Sequence, residues 1–133
     1  MRRIAKGMKK LGLSFDLILS SRLTRARQTA QIVAETFEAE KRLKFSDHLA
    51  PDGETEDLIH DLKQLYHRPN SVVLVGHEPY LSGLMATLLT GKSALDVNFK
   101  KGSLCLLTVD SLQHGHCATL EWLLTPRQMA HLR

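Results

Sequence analysis

The chain has 133 residues, of which 43% are hydrophobic and 24% are charged, and its net charge is +4. These totals are typical of one globular domain with a hydrophobic core. They argue against a membrane span, which needs about 20 consecutive apolar residues, and against nucleic-acid binding, because the charge is scattered and aromatic residues make up only 5%. The basic N-terminus lacks the apolar core of a secretory signal, and Cys105 and Cys117 lack metal or redox spacing, so we expect a cytoplasmic protein with reduced cysteines.

Helix and strand patterns alternate through the first half of the chain. Residues 2–11 place apolar side chains on one face and Arg or Lys on the others, which predicts an amphipathic helix ended by a glycine. Residues 15–19 form an apolar run typical of a buried strand. Either hydroxyl of the following Ser20 and Ser21 could cap the next helix, which apolar residues at steps of three or four predict over 23–37.

A short strand, a loop and a third helix come next. Residues 43–46 indicate an edge strand, and residues 48–53 indicate a loop with a Pro-Asp-Gly turn. The spacing of Leu58, Leu62 and Leu65 predicts the helix.

The stretch that follows places a histidine at a strand–helix corner. Val72–Val75 is an unbroken apolar run, which predicts a strand buried on both faces, as in a parallel sheet. Gly76 breaks the run, Pro79 suits the first turn of a helix, and that helix ends near Gly91. His77 therefore lies where open α/β sheets place ligands, and where helix N–H groups favour an anion such as phosphate. The alternative is a histidine that caps the helix or fills the turn.

The C-terminal quarter changes to a hairpin pattern. A strand within residues 97–109, with Val109 in its core, is followed by a turn and by alternating apolar and polar residues over 118–122. Thr125-Pro126 opens a short terminal helix. Alternating helices and strands followed by a hairpin predict one domain, residues 1–133. We expect a three-layer α/β/α sandwich with a mainly parallel sheet and an antiparallel edge.

Three arginines surround the start of the second helix. Arg22, Arg25 and Arg27 come directly after a predicted strand. Cations are electrostatically misplaced at a helix N-terminus, and a bound anion would resolve the conflict. Arg22 and Arg27 are interpreted as solvent-facing charges. Arg25 precedes Ala26 on the apolar face and can reach the rim where the strand ends meet.

Three segments carry a resemblance to a known family. Ser21–Ala30, His48–Gly53 and Val75–Pro79, in this order and at this separation, resemble the histidine phosphatase superfamily, and most of all its short SixA-type phosphohistidine phosphatases. The resemblance covers essentially the whole chain and implies a phosphoglycerate mutase-like fold.

The resemblance also implies a mechanism and a site. In this family an Arg-His-Gly segment supplies a histidine that takes up the phosphoryl group, and water then releases it. The arginine and histidine that match Arg25 and His77 form a positive cradle for phosphate, and Glu78 is placed in the same phosphate site. The resemblance implies no cofactor and no metal.

The chain departs from the family in its first strand. No Arg-His-Gly occurs in the sequence, which starts inside what resembles the family's first helix. We therefore expect an N-terminally incomplete domain without its nucleophile. The absent strand would lie beside the strand that precedes His77, and its loss would leave an open edge that invites self-association.

Other candidate groups are interpreted as structural or solvent-exposed. His114 and His116 are a weak candidate metal pair with no third ligand. The loop Leu49–Pro51 lacks the general-acid glutamate of larger relatives, which favours phosphohistidine, because an imidazole leaving group needs less help from an acid. Nearby carboxylates are interpreted as first-turn helix acids. The remaining histidines are His48, His60, His67 and His131, and the acids are Glu54, Glu56 and Asp57.

Three functions follow from the sequence. The first is a phosphatase that removes phosphate from protein phosphohistidine, with the chain as given inactive for want of its nucleophile. The second is a non-catalytic module that binds phosphate or a phosphoprotein. The third is a phosphatase of small phosphorylated metabolites.

Overall fold

The structure is a computed structural model that describes residues 1–65 and 69–132. Within these residues two short 3-10 helices occur, at Glu40–Arg42 and Asp47–Leu49. The other elements are, in chain order, α1 (Arg2–Lys10), β1 (Leu17–Ser20), α2 (Thr24–Thr36), β2 (Leu43–Phe45), α3 (Thr55–Gln64), β3 (Val72–Val75), α4 (Tyr80–Thr90), β4 (Leu104–Val109), β5 (Ala118–Leu124) and α5 (Pro126–Ala130).

The strands form a parallel sheet and a separate antiparallel hairpin. β1 lies at the centre of the parallel sheet, with β2 on one side and β3 on the other. β4 and β5 pair with each other, with a register shift between Leu106 and Leu107. The predicted parallel sheet and antiparallel pair are confirmed. The pair is a sheet of its own, because in the described part of the chain β3 bonds only to β1 and β4 only to β5.

Alternating side chains of β1 divide the core into two halves. Ile18 packs with α1, α2 and Met129 of α5, whereas Leu17 and Leu19 pack with α3 and α4 on the opposite face. Period-two alternation thus puts helices on both faces of the sheet. The result is the predicted order of helix, sheet and helix.

The hairpin packs against both halves of this core. Leu104 contacts the cluster formed by α1 and α2, and Leu107 contacts the cluster formed by α3 and α4. Side chains of β3 also reach both clusters. β3 and β4 therefore sit over the same two hydrophobic layers without a shared hydrogen-bond ladder.

Two helix ends predicted from glycine are confirmed. Gly12 follows α1 with φ of +74°, and Gly91 follows α4 with φ of +84°. Both values lie in the left-handed region, which glycine adopts without the clash that a Cβ would cause. At the other end of the chain, Thr125 and Gln128 form a reciprocal capping box around the start of α5.

The predicted serine cap of α2 is wrong. β1 continues through Ser20, and the residue that precedes the helix is Leu23, without a side-chain cap. Ser20 Oγ donates instead to the Ser21 carbonyl at 2.8 Å, and the Leu23 N–H donates to Ser21 Oγ at 3.2 Å. The two serine hydroxyls thus bond backbone groups of the turn between β1 and α2, and neither caps the first turn of the helix.

Two burial predictions are also wrong. The sequence predicts full burial of Val72–Val75, but each of its residues is only half-buried, because β3 pairs on one side only with the strands that the structure describes. Val109 was expected in the core, but it is 37% exposed at the end of β4.

None of the helices that the structure describes is long and apolar enough to cross a membrane.

Candidate functional site

Parallel pairing brings two strand–helix turns side by side. Ser20 at the end of β1 is in register with Val75 at the end of β3. The Ser21 N–H extends this pairing by one residue, because it donates to the Val75 carbonyl at 2.9 Å. The turns that lead into α2 and α4 therefore share the carboxyl edge of the sheet, where open α/β sheets bind ligands.

His77 is fixed at this edge through both its backbone and its side chain. Its carbonyl accepts the Leu81 N–H at 2.9 Å in the first turn of α4. Its ring Nε2 lies 2.9 Å from the hydroxyl oxygen of Ser21, and the residue is half-buried. This bond joins the two turns directly, so the histidine belongs to both corners.

Arg25 lies in the first turn of α2, and its side chain is exposed. The Arg25 side chain makes no hydrogen bond or ion pair with any residue that the structure describes. That first turn contains no acidic residue. The positive end of the helix dipole and the exposed Arg25 side chain thus belong to one helical turn that holds no acidic residue, which favours an anion there.

The flanking arginines have different surroundings. Arg22 Nε donates to the Asp47 carboxylate at 3.0 Å, with both side chains largely exposed. Arg27 is exposed as well. Both therefore lie on the surface, as the sequence indicated.

Glu78 is engaged in its own helix. Its Oε1 accepts the Ser82 N–H at 2.8 Å, and its Oε2 accepts the Ser82 hydroxyl. A carboxylate near a helix N-terminus is favoured by the helix dipole. Glu78 thus stabilises the first turn of α4 directly beside His77, and its assignment to a phosphate site stays a prediction.

The other candidate groups lie outside this corner or have other partners. His48 Nε2 is 3.1 Å from the Asp61 carboxylate. His114 and His116 flank the hairpin turn, and no group of three potential metal ligands occurs among the described residues. His60 is exposed on α3. His67 lies outside the described residues.

Ser21 and Tyr80 are two further candidates that the sequence did not place in the site. Tyr80 is only 8% exposed, and its hydroxyl has no partner among the described residues. Burial, and then the carboxylates of Glu54 and Asp57, raise the pKa of Tyr80 to about 12. The position of Ser21 in the sequence could have indicated the site, because Ser21 directly follows β1 and neighbouring parallel strands end at the same edge of the sheet.

The chain resembles a curated protein in sequence and several solved proteins in fold. No protein-family model matches the sequence. An uncharacterised protein of Picosynechococcus sp. (strain ATCC 27264 / PCC 7002) is 34% identical over 102 residues. The alignment covers 76% of this chain and 61% of that relative. The chain thus spans less than two thirds of the curated relative that it matches.

Solved structures match over nearly the whole chain. The protein histidine phosphatase SixA in complex with tungstate has a TM-score of 0.80 at 24% identity, over 95% of this chain and 78% of the other. A putative phosphohistidine phosphatase SixA from Agrobacterium tumefaciens has a TM-score of 0.73 at 25% identity, over 94% and 77%. A putative SixA from Nakamurella multipartitia has a TM-score of 0.69 at 16% identity, over 94% and 80%.

These matches confirm the resemblance predicted from the sequence. The chain has the α/β fold of SixA proteins, with a parallel sheet and a separate antiparallel pair. About a fifth of each matched chain has no counterpart in the alignment.

Proposed function

We propose that the chain forms the phosphate-binding part of a cytoplasmic phosphatase that removes phosphate from protein phosphohistidine. The observation that carries the proposal is the shared corner of β1 and β3. There His77 is bonded to Ser21, and the first turn of the adjacent helix contains Arg25 and no acidic residue. Support comes from the SixA fold, and from the SixA protein whose structure holds tungstate, an oxyanion that resembles phosphate.

In this proposal Arg25 and His77 hold the phosphoryl group. The planar fork of arginine donates to two oxygens at once, and a ring N–H of His77 donates to another. These donors would stabilise the charge that builds on those oxygens as the phosphorus–nitrogen bond breaks. Glu78 is the third residue of the proposed site. It would act by fixing the turn that carries His77, since its carboxylate is bonded to Ser82.

The nucleophile in the proposal is a histidine outside residues 1–133. Its ring nitrogen would form a bond to phosphorus while the bond from phosphorus to the substrate imidazole breaks. Water would then attack the enzyme phosphohistidine and release inorganic phosphate, so one displacement becomes two easier ones. The edge of β3 that is unpaired among the described residues supports this arrangement, because a strand added there would end beside Val75 and His77.

The absence of a carboxylate from the loop Leu49–Pro51 favours phosphohistidine over phosphate monoesters as the substrate. Imidazole leaves a phosphorus–nitrogen bond without the strong acid that an alkoxide needs. The enzyme would need no metal or cofactor for this hydrolysis. A phosphatase of small phosphorylated metabolites is distinguished from this proposal by a substrate screen.

A non-catalytic phosphate-binding module is the second candidate. The sequence contains no Arg-His-Gly, whereas Ser21, Arg25 and His77 all belong to the chain, and His77 is bonded to Ser21. This candidate predicts saturable binding of phosphate or a phosphoprotein without turnover.

Phosphate release from a phosphohistidine-containing protein tests the proposal. Residues 1–133 are compared with the protein purified from its source cells, and with the source protein that carries Arg25→Ala. We expect release by the source protein and strong loss of it in the variant. A source protein that binds phosphate but releases none would support the binding module. A source protein that neither binds nor releases phosphate would overturn both functions.

A further inference from the structure

Each polar group of Ser21 makes a hydrogen bond: the backbone N–H, the carbonyl and the side-chain hydroxyl. Its side chain is fully buried, at 0% exposure. Its N–H donates to the Val75 carbonyl, and its carbonyl accepts from Ser20 Oγ. Its Oγ accepts the Leu23 N–H at 3.2 Å. The hydroxyl therefore has a fixed position, and water cannot reach it.

The destination of the Ser21 hydroxyl proton follows from these contacts. A buried hydroxyl needs an acceptor, since an unpaired donor in the interior loses its hydration without replacement. Among the described residues, the acceptor within reach is His77 Nε2, at 2.9 Å. If Nε2 carried a proton and donated to Ser21 Oγ instead, the hydroxyl proton would be buried without a partner.

We propose that Ser21 is a positioning residue that fixes His77 in the tautomer with its proton on Nδ1. Ser21 donates to Nε2, so that nitrogen carries the lone pair and is closed to substrate. Nδ1–H is then the one donor that the neutral ring offers, and Nδ1 has no partner among the described residues. Its use as a donor to a bound phosphoryl group rests on the function proposed above. The tautomer assignment does not rest on that function, because it follows from the contacts of Ser21 and His77.

A nucleophilic Ser21 activated by His77 would use the same contact but does not fit its surroundings. A serine nucleophile must reach the substrate, and Ser21 is fully buried. The His77 ring also lacks a second hydrogen-bonded group among the described residues that would orient it as a general base. The contact thus acts on the histidine.

Nitrogen-15 NMR of the histidine rings in residues 1–133, without phosphate, tests the tautomer. For neutral His77 we expect a protonated Nδ1 and an unprotonated Nε2 in the native protein. Ser21→Ala removes the hydroxyl, and a mixture of tautomers should appear. Ser21→Thr keeps the hydroxyl and should restore the native pattern. A native His77 with its proton on Nε2 would overturn the proposal whether or not either variant folds.

Addition of inorganic phosphate separates this proposal from the function. If phosphate binds, the Nδ1 resonance of His77 should move more than the Nε2 resonance. Arg25-dependent binding with no change at Nδ1 would overturn the donor role. If no phosphate binds, the function fails, while the tautomer has already been decided by the spectrum without phosphate.

Discussion

The Ser21 N–H donates a hydrogen bond of 2.9 Å to the Val75 carbonyl, one residue beyond the last paired position of β1. This bond continues the parallel pairing into the two turns. As a result Ser21, one residue after β1, and His77, two residues after β3, lie within hydrogen-bond distance. Sheet register, rather than loop sequence alone, thus sets the geometry of the candidate site.

Arg25→Ala is expected to weaken phosphate binding by residues 1–133 about 10- to 100-fold. This range corresponds to the ~1.5–3 kcal/mol of a hydrogen bond to a charged group. Titration calorimetry with inorganic phosphate measures it. Arg22→Ala is the matched control, because Arg22 is paired with Asp47 at the surface and its loss should leave the affinity nearly unchanged. Equal losses in the two variants would mean that nonspecific positive charge attracts the anion.

Leu58→Ala is expected to lower the free energy of unfolding by about 2–5 kcal/mol, through lost burial and the cavity left behind. Leu58 has 0% exposure and packs α3 against the core below β1. Urea denaturation measures the loss. Leu120→Ala, at 46% exposure, should change the stability by less than about 0.5 kcal/mol. A tolerated Leu58→Ala would contradict the packing of α3.

Tyr80→Phe is expected to leave stability unchanged or to raise it by up to about 1 kcal/mol, because it removes a buried hydroxyl without a partner among the described residues. Burial raises the pKa of Tyr80 from 10.0 to about 12. In the unfolded chain the tyrosine ionises with the lower pKa of 10.0, so ionisation of Tyr80 does not reduce the stability of the fold below pH 10. It destabilises the fold as the pH rises from 10 to about 12.

Stability measured across this alkaline range separates the variant from the native protein. The native chain should lose more stability than Tyr80→Phe between pH 10 and 12. The lysines and the second tyrosine of the chain, Tyr66, are common to both proteins, so the difference between the two curves isolates Tyr80. Parallel curves for the two proteins would show that Tyr80 does not titrate differently on unfolding.

The open edge of β3 predicts self-association of residues 1–133. Val72–Val75 is half-buried and pairs only with β1 among the described strands, and unpaired apolar edges bind other strands. Sedimentation velocity should show a mass that rises with protein concentration. A monomer at every concentration would mean that the edge is protected.

Local sequence signals predicted most elements of the fold. Val72–Val75 matches β3 residue for residue, and Gly12 and Gly91 end their helices with positive φ. Alternation also predicts the hairpin, and Thr125-Pro126 predicts the start of the terminal helix. These features depend on neighbours in the chain, so a pattern of a few residues determines them.

Features that depend on distant partners were missed. The hydroxyl of Ser21 was interpreted as a possible helix cap, because its actual partner, His77, is brought near only by the pairing of β1 with β3. The half-burial of β3 depends on which strands lie beside it.

Trapping the phosphorylated enzyme tests the central claim most directly. Protein from source cells is mixed with a phosphohistidine-containing protein, quenched in alkali, in which phosphohistidine survives, and mapped by mass spectrometry. The account predicts phosphate on a histidine outside residues 1–133, and loss of that label in Arg25→Ala. Phosphate on a residue within 1–133, or turnover with no phosphohistidine on the enzyme, would contradict it.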